Sequence, residues 1–281
     1  MTTGKQHAVA WKDRLLPTTT AHHSRLQLFQ ATRHPVFCTR EVHTPWGSGT
    51  ITGRLGTMHA LLLEMYLFLC ERARDLESGG QQLLVDPYPV RRGMSGGDGQ
   101  YSAEGIKRLA ADLRAATFRL DLRGGGWVVD GIVDRIMESP KRRRDPLTGG
   151  ERPLARVDIT PTYRAFLAAD LPLHYDPTPL GALRHGISQA ITRLVLSHRD
   201  QPHGGWTLDA LIAAVGAETE GSAGRKRRFE IRADRDGLAA LGLEVAGDKI
   251  VKRVLSTPDS VPSTPGAFSP RPIAFPPRPV Q

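Results

Sequence analysis

The spacing of apolar residues divides the middle of the chain into two passages with the same order of elements. In the first, "MHALLLEMYLFLC" opens an almost unbroken apolar stretch that predicts a buried helix over residues 57–76. The extended piece "QQLLVDPYPV" follows, and then a glycine-rich loop, "RRGMSGGDGQY". Ser102 offers a side-chain oxygen to the first turn of a helix. Behind it Ile106, Leu109, Leu113 and Ala116 recur at helical spacing. "FRLDL" alternates Phe118, Leu120 and Leu122 as a half-buried strand does, "RGGG" turns the chain, and "WVVDGIV" supplies the partner strand.

A charged, glycine-containing loop, "ESPKRRRDPLTGGERP", separates this passage from the second. There Leu180, Leu183, Ile187, Ile191 and Leu194 step by 3, 4, 4 and 3 and lay an apolar stripe along one helix, dented by Gly181 and Gly186. "HRDQPHGG" stops that helix. Thr207 caps a short one, "LDALIAAVG", which Gly216 closes. A third helix starts within "SAGRKRRFEIRADRD" and runs to about Leu241, with Gly242 as its C-terminal cap. "LEVAGDKIVKRV" then reads as strand, Gly-Asp turn, strand. Helix, helix, helix, hairpin is the order of a winged helix. The expected fold is therefore α+β, two winged-helix domains in tandem at residues 36–160 and 161–255. A flexible N-terminal segment, 1–35, and a Pro-rich disordered tail, 256–281, flank them.

Charge narrows the choice of partner. Lys and Arg number 38 against 29 for Asp and Glu, a formal net charge of +9, which speaks of partners and not of fold. Nucleic acid leads; an anionic membrane comes second. The most apolar stretch is too short to span a bilayer and carries His59 and Glu64. The first residues lack the pattern of a secretory signal, and the two cysteines, Cys38 and Cys70, make neither a disulfide framework nor a CxxC pair. The expectation is a cytoplasmic protein with no membrane partner.

Catalytic patterns fail in turn. The glycines of "GSGTITGRLG" match neither a dinucleotide-binding nor a phosphate-loop spacing and are read as a turn between strands. His22 and His23 are adjacent, not one helical turn apart as metal ligands on a helix would be. His198 and His203 flank a loop without a partnered nucleophile or carboxylate, and are read as structural. No catalytic site, no metal and no cofactor is expected.

The basic run raises a physical question. Arg225, Lys226, Arg227 and Arg228 stand where a helix begins, the end at which its dipole disfavours cations. A phosphate backbone would compensate. Arg225, Arg228, Arg232 and Arg235 step by 3, 4 and 3 along one face, with Ile231, Leu238 and Leu241 on an adjoining face that packs inward. In a winged helix this third helix lies in the major groove, where the arginine fork matches two acceptors on guanine. Lys249, Lys252 and Arg253 ride on the hairpin and reach the flanking backbone or minor groove. Lys107, Arg108 and Arg114 hold the corresponding place in the first passage, which contributes affinity, dimer contacts or both. "SPKRRRD" at 139–145 has no helical context, so a solvated loop and a nonspecific phosphate contact both stay open to it.

"LSHRDQPHGGWTLDALIAAVG", the basic helix after it and the terminal "GDKIVKR" resemble the C-terminal winged helix of TrfA-type plasmid replication initiators. In that family a helix ending in Ser-His precedes a proline-containing loop, a short helix and a basic helix; Ser197, His198 and Pro202 hold those places here. "VDITPTYRAFLAADLPLHYDPTPLGALRHGISQA" keeps the family's order of strand, short helix and extended link, with a long, continuous helix leading into the second domain. "SRLQLFQATRH" looks like its lead-in segment. The resemblance spans roughly residues 24–254. It implies a protein that binds direct repeats of double-stranded DNA at an origin, assists duplex opening and helps recruit the host replicative helicase. Some members also touch the sliding clamp through a Gln-Leu-Ser-Leu-Phe-like peptide. The nearest match, Arg25 to Phe29, lacks the leading glutamine, and core packing by Leu26, Leu28 and Phe29 is the preferred reading. A winged-helix transcriptional regulator and a helicase-loading adaptor are the alternatives.

Overall fold

The computed structural model describes residues 16–25, 27–144 and 149–253. The Pro-rich tail, Leu26 and the first part of the N-terminal segment lie outside the described residues.

In chain order, β1 (Thr19–Thr20) and α1 (Ala21–Arg25) precede a hairpin of β2 (Cys38–Thr44) and β3 (Gly47–Gly53). Helix α2 (Thr57–Phe68) is followed by β4 (Cys70–Asp75), β5 (Gln81–Val85), α3 (Pro87–Met94) and α4 (Ala103–Ala115). Next come β6 (Thr117–Leu122), β7 (Trp127–Gly131), and a long hairpin of β8 (Val133–Arg144) and β9 (Glu151–Ile159). The remainder is α5 (Pro161–Ala169), β10 (Pro172–Leu173), α6 (Thr178–Ala182), α7 (Gly186–Leu196), β11 (Trp206–Thr207), α8 (Leu208–Ala214), α9 (Gly221–Ala233), α10 (Arg235–Ala240), β12 (Leu243–Ala246) and β13 (Lys249–Lys252). The fold is mixed α+β. Its larger sheets run in the orders β2-β3-β6-β7, β4-β5-β9-β8 and β11-β13-β12, and β1 pairs with β10.

Helix α2 is the hub: every one of its 12 residues is buried. Its apolar side chains join a core cluster that continues through Leu83, Leu113 and Phe118 into Ile187, Ile191, Leu211 and Ile231. Both passages therefore share one core. Of the buried polar residues in α2, Thr57 donates to the Thr32 carbonyl, and His59 and Glu64 are both paired. His59 Nδ1 accepts the Gly56 N–H at 3.1 Å, and Nε2 meets Asp112 of α4 at 3.2 Å. Glu64 holds Arg193 of α7 by two parallel bonds of 2.7 and 2.8 Å and accepts the Tyr175 hydroxyl at 2.9 Å. A buried carboxylate is tolerated only with such partners.

Several sequence expectations held. Ser102 caps α4 through the Gly105 N–H at 3.0 Å, and Thr207 caps α8 through the Ala210 N–H at 3.3 Å. Gly216 closes α8 at φ +73°, and residues 243–252 form the expected hairpin.

Others need correction. The first helix ends at Phe68, not near residue 76, because Cys70 to Asp75 pair with β5 and the ladder overrides the helix propensity of "ERAR". "QQLLVDPYPV" is extended only to Val85; Asp86 then caps α3 through the Tyr88 N–H, with Pro87 at its first position, and "RRGM" is helical. "GSGTITG" is strand β3, not a turn. The loop expected at 138–153 is largely the two arms of β8 and β9, so Lys141, Arg142, Arg143 and Arg144 lie exposed on a strand. Part of the segment assigned as flexible is built in: Thr18, Thr19 and Thr20 are buried, β1 pairs with β10, and Leu28 is in the core.

The single stripe over 180–194 belongs to two helices, and the long linking helix implied by the resemblance is broken. The Asp234 carboxylate accepts the N–H groups of Arg184 and His185 at 3.1 and 2.9 Å, satisfying the start of α7. Gly181 lets α6 lie on α3: a Cβ there would stand 2.3 Å from the Gly93 carbonyl oxygen. The basic helix likewise ends at Ala233, where Asp234 turns inward, and Gly242 closes the separate helix α10 at φ +75°.

Candidate nucleic-acid interface

Helix α9 is set on the core by Gly224 and Ile231, which are buried, and rests against α7 and α8. Gly224 is a steric requirement. A Cβ at that position would fall 1.9 Å from the Thr219 carbonyl oxygen, because the chain before α9 crosses its first turn. The helix begins without a side-chain cap and without an acid in its first turn, so its orphan N–H groups and positive end reinforce the basic run.

The run divides by direction. Arg228 turns inward: its Nε donates to Asp209 of α8 at 2.7 Å and its Nη2 to the Thr219 carbonyl at 2.9 Å. That pairing holds the Asp209 carboxyl below its ordinary range, chiefly through the hydrogen bond from Arg228. Arg227 donates to Glu230 at 2.9 Å, with Lys226 Nζ 4.0 Å from the same carboxylate. Arg225, Lys226 and Arg232 are exposed. Arg235 is exposed too but belongs to α10, beside Asp236 at 3.5 Å. The face that looks outward is thus Arg225, Lys226 and Arg232, not the four-arginine stripe 225, 228, 232, 235. Phe229 lies between them, 70% exposed. Sequence reasoning passed over it, although helical spacing from Arg225 and Arg232 places it on their face.

The hairpin residues are more tied down than their charge suggests. Lys252 donates from Nζ to the His198 carbonyl at 3.1 Å and from its backbone to Gln201. Arg253 pairs with Glu244 at 2.9 Å, and Lys249 is half-buried. Arg232 Nε reaches the carbonyl of Gly247 in the hairpin turn at 3.4 Å, joining helix and hairpin. His198 is structural, as expected: its Nδ1 meets the Leu194 carbonyl at 2.8 Å and its ring packs edge-on to Trp206. Arg25 binds Ser197 through both Oγ and the carbonyl, and Phe29 packs edge-on to His23. Leu28 and Phe29 therefore serve the core.

In the first passage Lys107 and Arg108 are exposed on α4, while Arg114 donates to the Asp134 carbonyl of β8 at 3.0 Å. Arg108 stands with Arg33, Arg54, Arg184 and His34 along a cleft between the two passages. No spacing in the sequence marks those arginines as neighbours, because they come from four separate segments. Among the described residues no cluster of His, Cys, Asp and Glu is arranged to hold a metal, and no helix is long and apolar enough to cross a membrane.

No family model matches the sequence, and no curated protein does. Among solved structures the chain is similar to the crystal structure of selenomethionine derivatives of domains 2 and 3 of RctB. The TM-score is 0.52 at 11% identity, over 83% of this chain and 96% of that one. At that identity the likeness is one of fold.

Proposed function

We propose that the chain is a sequence-specific double-stranded-DNA-binding replication initiator, built as two winged helices in tandem, with α9 as its major-groove reading helix. The observation that carries this is the outward face of α9. Arg225, Lys226 and Arg232 are exposed on a helix whose opposite side is fixed in the core, beside a hairpin that extends the same unit. The short strand β11 pairs with β13, and the order α7, β11, α8, α9, then the hairpin β12–β13 supports a winged helix in which the short helix α10 is added before the hairpin. In the first passage α2, α3, α4 and the β6–β7 hairpin follow the same order, with β4 and β5 inserted after α2. The shared fold with RctB, a replication initiator, supports the initiator reading over a general regulator, as does the resemblance to TrfA-type proteins.

The mechanism is assembly, not chemistry. Phosphate contacts from cations on α9, from the hairpin and from the arginine cleft fix the register, and base contacts from α9 select the sequence. Recruitment of a host replicative helicase rests on the family resemblance. Footprinting on the DNA beside the gene tests the proposal: an array of protected direct repeats is expected. One short palindrome would point to a regulator, and absence of protection would overturn the DNA reading. Affinity is expected to fall steeply with salt, by about 10³ to 10⁵ between 50 and 200 mM for a protein neutralising six to ten phosphates.

A further inference from the structure

Phe229 occupies the centre of the cationic face of α9. It is 70% exposed, while Ile231, two residues on, is fully buried. Arg225 and Lys226 lie one turn before it and Arg232 and Ala233 one turn after it, all exposed. A benzene ring left in water forgoes the burial that a core position would provide, and the fold does not need it there. A single exposed apolar side chain is ordinary by itself; the placement of this one among cations on one helix face is what points to a ligand.

We propose that Phe229 reads thymine: its ring packs against the C5-methyl group that thymine presents in the major groove when α9 enters duplex DNA. This rests on the reading of α9 as the groove helix. The charge pattern favours a duplex over an acidic protein surface. Phosphates on both walls of the groove match cations placed on both sides of the ring, and the groove floor offers one apolar feature, the thymine methyl. The inward turn of Arg228 to Asp209 matters as well, since it clears the position one residue before the ring and leaves Phe229 as the bulkiest apolar group on that face. Arginine forks and an aromatic ring on one helix predict a site in which guanine and thymine are read at neighbouring positions.

The test uses the full chain. Duplexes selected from a random pool by the wild-type protein define the site. Each thymine is then replaced singly by deoxyuridine, which keeps the base pair and removes only the methyl. At one or two adjacent positions the wild type is expected to lose about fourfold in affinity per methyl. Phe229→Ala is expected to bind more weakly and to show no further loss at those positions. Arg225→Ala should keep the uracil sensitivity. If selection yields no site, the DNA reading of α9 and this proposal fall together. If a site is found but no thymine methyl matters, or Phe229→Ala keeps the full uracil sensitivity, the thymine assignment fails and the DNA reading stands.

Discussion

Helices α4 and α9 hold the same place in the order of their passages, yet they present opposite surfaces. Each has 13 residues, and a hairpin follows α4 directly and α9 after the short helix α10. Helix α4 is conventional: Ser102 caps it, Glu104 sits in its first turn and Arg114 in its last, all in line with the helix dipole. Helix α9 inverts that pattern, uncapped and basic at its start. What packs beside each helix matters as much. The β8–β9 hairpin runs along α4 and forms with it an apolar groove through Ile106, Ala110, Ile136, Met137 and Leu154, rimmed by Lys107 and Arg114. The flank of α4 is thus occupied by protein, whereas the outer face of α9 is open. The same order of elements yields a scaffold helix in one passage and a presenting helix in the other.

The largest expected effect tests whether the two regions are energetically separate at all. Glu64→Gln removes the charge that Arg193 needs in a buried site linking α2 to α7. Breaking such a pair by one partner costs about 3–5 kcal/mol. Chemical denaturation followed by fluorescence and by circular dichroism should show both regions lost in a single transition at lower denaturant. Two separated transitions would mean that α4 and α9 belong to independent units.

Next comes a direct contrast. Arg225→Ala with Arg232→Ala should weaken binding to a selected site by at least about thirtyfold, each bidentate base contact being worth roughly 1–3 kcal/mol. Lys107→Ala with Arg108→Ala should cost less than about tenfold and lower the salt slope by about 2 without changing base preference. Equal losses from the two pairs would erase the distinction between the helices.

How much of this was legible follows from the range of the forces involved. Local signals were read correctly where local chemistry decides: the Ser102 and Thr207 caps, the Gly216 stop and the 243–252 hairpin are each settled within a few residues. Breaks imposed from a distance were not. Asp234 ends α9 and begins α7 across 50 residues of sequence, so the apolar stripe from Leu180 to Leu194 gave no hint of a bend. At the site, helical spacing correctly put Arg225 and Arg232 on one side but could not reveal that Asp209, 19 residues earlier, takes Arg228 away. The same wheel contained Phe229, an apolar side chain that a pattern of charges does not single out.

A smaller effect, on pH, belongs to the region that braces both passages from the N-terminal side. His23 is hydrogen-bonded at both ring nitrogens, to Thr19 Oγ1 at 2.7 Å and the Tyr163 hydroxyl at 3.0 Å. Burial, with help from nearby Arg193 and against the pull of Asp170, lowers its pKa from 6.5 to about 4. Because the folded value lies below the unfolded one, the unfolded chain takes up the proton first. The contribution is complete above pH 6.5 and declines as pH falls towards 4, by about 2 kcal/mol at pH 5. His59, whose pKa burial also lowers, acts in the same direction. His23→Gln should lose correspondingly less stability than the wild type between pH 7 and pH 5 in denaturant titrations.

The smallest effect discriminates within the basic run itself. Arg225 and Arg228 are three residues apart and chemically identical, so any difference between them is due to the fold. Arg225 is exposed on the outward face, whereas the guanidinium of Arg228 is taken up by Asp209 and the Thr219 carbonyl. Arg225→Ala should relax base preference at one position of the selected site; Arg228→Ala should leave the preference unchanged. Because Arg228 depresses the Asp209 carboxyl, the pair contributes above the unfolded carboxylate pKa and fades as pH falls through the lower folded value. An exposed pair of this kind adds little, so melting curves of wild type and Arg228→Ala should nearly coincide at neutral pH and converge fully in acid. Should Arg228→Ala instead relax base preference as Arg225→Ala does, the Asp209 pair must open on DNA. The helix would then read through all four arginines of the stripe, and the inward turn of Arg228 would describe only the free protein.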